Sequence, residues 1–190
     1  LTQGICCLPL PPLSDQRMQL VADALLFAFN ELLPRHREIF LIGKEPELTN
    51  LMESRLNRLR NEDLRWEALV SSVGRGRESP NFDGSRLETR PDLSITLTDK
   101  HRDRFPLRVE CKIIDRPSRT VNHYCSNGIA RYECGDYAWA NQEAFLLAYV
   151  RDGSDLKICL APKVENLNFR PERRDLAVSE HVRSFVLVGD

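Results

Sequence analysis

Long apolar runs are missing from this chain of 190 residues. The strongest candidate, around Leu25 to Phe29, is broken by Asp23 before it and by Asn30 and Glu31 after it, so no membrane-spanning helix is expected. The opening stretch LTQGICCLPLPPL has neither a basic start nor a sustained apolar core, and it does not read as a signal peptide. Six cysteines are present, yet none forms a Cys-x-x-Cys pair, and their spacings match neither a zinc site nor a small disulfide scaffold. The expectation is reduced, mostly buried thiols in a cytoplasmic protein. Histidine offers little. His36, His101 and His181 are scattered, and His123 beside Tyr124 reads as a packed or exposed residue rather than a base. Ser94 and Ser126 lack a His/Asp framework, so nucleophilic catalysis has no support.

Net charge is also nearly absent. At -1, the chain does not look like one that simply coats nucleic acid. The charge is unevenly placed, however. From Lys100 to Arg131, eight cationic residues stand against Asp103, Glu110 and Asp115, a local excess of five. Such a stretch on a neutral protein fits a polyanion handled at one place, although an arginine-rich solvated surface has the same composition.

What the chain does have is ordinary globular composition, 42% hydrophobic and 29% charged, at a length that suits one core with a small appendage. After the stiff PLPP segment, Ser14 looks like an N-cap, and apolar residues at helical spacing predict a helix up to Pro34. RHREIFLIGKEP reads as a connection. A second helix is predicted from about Glu47 to Arg60, with Leu48, Leu51, Met52, Leu56 and Leu59 on one face. Glu62 to Ser72 reads as a short helix, and SVGRGRESPNFDGS as a mobile loop whose glycines follow no strand.

Then the period changes to two. Leu93, Ile95 and Leu97 predict a half-buried strand, and Phe105 to Ile113 a second strand antiparallel to it across the DKHRDR turn. Pro117 to about Gly128 can hold a helix. AFLLAYV, Ala144 to Val150, suits a strand buried on both faces. Ile158 to Leu167 is ambiguous, and SFVLV near the end reads as a last strand. The order predicts an α/β protein with a mixed central sheet flanked by helices: a helical extension over 1–45, then one domain over 46–190.

Glu110 and Lys112 are two apart on a strand, so they leave from the same face, which Arg108 shares. Alone this is a simple ion pair. Asp92 lies at the mouth of the partner strand after Pro91, where a short hairpin can bring it beside Glu110. Two converging carboxylates repel unless a cation lies between them, and hard oxygen ligands suit Mg²⁺. All three residues are expected at the sheet edge rather than in the core.

Pro91-Asp92, then a turn, then Glu110-Cys111-Lys112 resembles the PD-(D/E)xK motif of restriction-endonuclease-like nucleases. The resemblance covers about Leu48 to Val150. It implies a restriction-endonuclease-like core and hydrolysis of phosphodiesters, with Mg²⁺ held by Asp92, Glu110 and the backbone carbonyl of Cys111, and with Mn²⁺ as a substitute. Lys112 then orients the attacking water. An acid from the preceding helix often completes such sites; Glu53 is the first candidate, Glu62 and Glu67 the reserves. The later segment with Tyr124, Gly128, Ile129, Arg131, Tyr132, Gly135 and Tyr137 resembles one found after the motif in bacterial nuclease-like proteins, several tied to phage defence. Arg119 and Arg131 are the candidate phosphate contacts. The resemblance implies a nucleic-acid substrate, DNA before RNA, and a restriction or anti-phage setting with a regulatory or defence-complex partner. The alternative is a non-catalytic nucleic-acid-binding or scaffold subunit.

Overall fold

The computed structural model describes residues 10–76, 90–100, 102–115, 123–124, 128 and 140–153. Four helices come first: α1 (Asp15–Arg35), α2 (Arg37–Ile42), α3 (Glu45–Leu59) and α4 (Leu64–Leu69). A four-stranded mixed sheet follows in the spatial order β1-β2-β3-β4 (Val70–Arg75, Leu93–Leu97, Leu107–Ile114, Phe145–Val150). β1, β2 and β3 pair antiparallel, while β4 runs parallel to β3. No helix among the described residues is long and apolar enough to cross a membrane.

Local chemistry accounts for each helix start. Ser14 accepts the Arg17 N–H with its side chain, as its position before the apolar periodicity predicts. At α3, Glu47 Oε2 reaches back to the Lys44 N–H at 2.6 Å, and Pro46 sits in the first turn, where its missing N–H costs nothing. Asp63 caps α4 by accepting from the N–H groups of Arg65 and Trp66.

One core runs through the whole described unit. Leu48, Met52 and Leu56 of α3 are fully buried between α1 and the sheet, where they meet Val21, Ala28 and Ile95. The first helix, read from sequence as an extension, thus packs into the same core as the strands. Arg55, buried on α3, ties α1 to the turn after α3 by ion pairs to Glu31 and Glu62.

Several elements differ from the sequence reading. The RHREIFLIGKEP connection contains α2. Val70 to Arg75, read as the end of a short helix and the start of a loop, is a strand. Its pairing with β2 overrides the weak local preference of SSVG, and Asn57 covers its outer edge by bonding both the Val73 C=O (2.6 Å) and N–H (3.1 Å). β2 is more than half-buried, because the Arg108 guanidinium closes over Ser94 at 2.6 Å. β4 is only partly covered along its middle. In the stretch expected as a helix after Pro117, the described residues His123, Tyr124 and Gly128 are helical. The Ile158 to Leu167 segment and the expected last strand lie outside the described residues, as do Arg119 and Arg131.

Candidate functional site

β2 and β3 stay paired only as far as Leu93 opposite Val109. Cys111 is two residues further along β3, so its N–H and C=O point to the same edge as those of Val109, where β2 no longer supplies partners. Two side chains fill the vacated positions. Asp92 Oδ2 accepts the Cys111 N–H at 2.7 Å, and Lys112 Nζ donates to the Cys111 C=O at 2.8 Å. The site is built where the sheet opens.

Gly76 makes that parting possible. It donates its N–H to Asp92 O at 3.2 Å, and a Cβ there would lie 1.8 Å from the Pro91 carbonyl oxygen. Only glycine lets the Pro91-Asp92 backbone come this close.

The Lys112 ammonium is the centre of the cluster. Glu110 Oε1 lies 2.9 Å from Nζ, Glu45 Oε1 3.2 Å and Asp92 Oδ2 3.8 Å. The structure therefore brings Asp92, Glu110, Lys112 and the Cys111 carbonyl together, as the sequence led us to expect. It places them differently in depth. Glu110 is 2% exposed and Lys112 7%, so both belong to the interior rather than to the sheet edge. Strand β4 pairs along the free edge of β3, and Gly128 lies against Leu146, the β4 residue opposite Glu110. Asp92 and Glu45, with side chains 19% and 29% exposed, form the accessible rim.

The acid that α3 brings against Lys112 is Glu45, not the expected Glu53. Both are on α3, but Glu53 follows eight residues later, about 12 Å along the axis. There its backbone carbonyl accepts from Asn57, which faces β1. Of the reserves, Glu62 pairs with Arg55, and Glu67 is exposed on α4. From sequence Glu45 fell in the RHREIFLIGKEP connection, with the helix expected from about Glu47, whereas α3 begins at Glu45 itself. Arg75 binds the start of α3 through Pro46 O and Asn50 Oδ1.

Burial lowers the affinity of the Lys112 amine for its proton, but the carboxylates of Glu110, Glu45 and Asp92 outweigh it and leave the pKa above the ordinary lysine value. Lys112 is a cation at neutral pH. Burial also pushes the Cys111 thiol far up, with Asp92 adding to the effect, so that side chain is an inert packing group.

The donor set suits a hard divalent cation: two carboxylates, a third within reach, and a backbone carbonyl already converge on one positive charge. Among the described residues no three acidic, His or Cys side chains form a ready-made metal cage, because the oxygens close around the ammonium itself. A separate cleft of about 590 Å³, lined by Arg17, Asp23, Arg65, Leu97 and Asp99, opens at the far end of β2 from Asp92 and shares no residue with this cluster.

The described fold is α/β, a four-stranded mixed sheet flanked by helices. No protein-family model, curated protein or solved structure matches the chain.

Proposed function

We propose that the protein is a Mg²⁺-dependent phosphodiester hydrolase acting on nucleic acid, DNA before RNA, from a restriction-endonuclease-like core. The observation that carries this reading is the convergence of Asp92, Glu110, Glu45 and the Cys111 carbonyl on one cation at the opening of the sheet. A structural ion pair needs one acid, whereas three acids and a carbonyl make a site for more positive charge than one lysine brings.

A bound Mg²⁺ would supply Lewis-acid polarisation of the phosphate and activation of water. Asp92, Glu110 and the Cys111 carbonyl would hold it, with Mn²⁺ able to substitute. Glu45, on the exposed rim, orients water, and Lys112, released from its carboxylates, pairs with a non-bridging phosphate oxygen as negative charge builds there. Arg119 and Arg131 are proposed to hold the flanking phosphates, and a regulatory partner in a defence setting would control access. One observation favours a non-catalytic nucleic-acid-binding or scaffold role: the ammonium already balances the buried Glu110.

Cleavage of plasmid, linear duplex, single-stranded DNA and RNA, with Mg²⁺ or Mn²⁺ against chelator, separates the two. Metal-dependent cleavage lost in Asp92→Asn and Lys112→Met is expected. Binding without cleavage in any metal leaves the scaffold role.

A further inference from the structure

Arg151, the residue after β4, joins two parts of the site that the chain leaves far apart. Its N–H donates to the carbonyl of Ile114 at 2.8 Å, at the end of the strand that carries Glu110 and Lys112. Its guanidinium reaches the other way. Nε donates to Phe40 O at 2.7 Å, and Nη2 to Gly43 O at 2.5 Å and Ile39 O at 3.4 Å. These carbonyls belong to the last turn of α2 and its cap, and Gly43 stands two residues before Glu45.

The turn has little rigidity of its own. A helix of six residues, such as α2, is too short to hold its end without outside contacts. Gly43 also packs so tightly that a Cβ would lie 2.5 Å from Ile39 O, so the path into α3 is narrow. A planar fork that bonds three carbonyls at once can fix such a turn, and a lysine cannot reproduce it.

We propose that Arg151 is a positioning residue: by tying the end of β3 to the α2–α3 turn, it holds the Glu45 carboxylate against Lys112. The catalytic consequence of this rests on the nuclease reading; the positioning itself does not. Losing Arg151 should therefore act on Lys112 through Glu45, and not merely loosen the fold.

The test is lysine-labelled NMR of the full chain, reading how fast the Lys112 ammonium protons exchange with water. A charge-assisted bond shields them, so Glu45→Gln should speed exchange about tenfold. Arg151→Met should speed it by a similar factor, and the double variant no further. Arg151→Lys should fall between, and it replaces the methionine variant if that chain does not fold. An exchange rate at Lys112 that stays at the wild-type value in the arginine variant overturns the proposal. So does an additive effect in the double variant, or a wild-type ammonium signal too fast to observe. A wild type that cleaves nothing in Mg²⁺ sinks the nuclease reading while leaving this measurement decisive for Arg151.

Discussion

The carboxylate of Glu45 lies 3.2 Å from the ammonium of Lys112, across a separation of 67 residues in the chain. Glu45 enters from the first turn of α3 and Lys112 from β3, and the pair closes the site on its solvent side. If the third acid matters to chemistry, Glu45→Gln lowers metal-dependent cleavage by at least about tenfold, in the range typical of a lost positioning or proton-handling group. Glu53→Gln, on the same helix, leaves cleavage near wild type. Steady-state rates on a duplex substrate check this, and the reverse pattern would restore Glu53 as the helical acid.

Charge balance gives a stability prediction. Lys112→Met removes the ammonium that Glu110, buried to 2% exposure, shares with two further carboxylates. Breaking a buried pair in this way costs about 3 kcal/mol, or roughly 6–12 °C in melting temperature for a chain of this size. Mg²⁺ should recover part of the loss, so its thermal shift is larger in Lys112→Met than in wild type. Equal shifts would mean that the carboxylates do not bind the ion.

The pH dependence follows from the raised Lys112 pKa. A raised folded value means the contribution is fully present below the ordinary lysine pKa and is lost as pH rises through the folded one. The stability gap between wild type and Lys112→Met should be flat from neutral to mildly alkaline pH and shrink only above the lysine range. Denaturant melts of both proteins across that span measure it. A gap that already closes between pH 6 and 8 would contradict the assignment.

Gly76→Ala tests the opening of the sheet. The added Cβ collides with the Pro91 carbonyl, so backbone must move, at a cost of about 1–3 kcal/mol. The shift withdraws Asp92 from the Cys111 N–H, and cleavage should fall together with stability. An alanine variant with wild-type melting and full activity would show that Asp92 is not held by this contact.

Cys111 should be inert to alkylation in the folded protein at pH 8, since its thiol is wholly buried and its pKa is pushed well up. Peptide mapping after brief iodoacetamide treatment reads this directly. Modification of Cys111 at the rate of an unfolded control would place it at the surface.

The amino-acid sequence by itself determined which polar residues of the two central strands share one face. Alternation with a period of two is a local rule, so Leu93–Leu97, Leu107–Ile114 and their antiparallel pairing were legible, and with them the shared face of Glu110 and Lys112. The helical repeats of α1 and α3 were legible for the same reason. Strand β1 was not, because SSVG has weak intrinsic preference and becomes a strand only by pairing with β2. Glu45 was hidden because its segment read as a connection before a helix starting at about Glu47; only the tertiary structure brings the start of α3 against Lys112. Depth, too, belonged to the tertiary structure. A two-residue spacing puts side chains on one face, but whether that face meets water depends on what the rest of the chain lays over it. Here the face is covered, and Glu110 and Lys112 become buried charges held by each other.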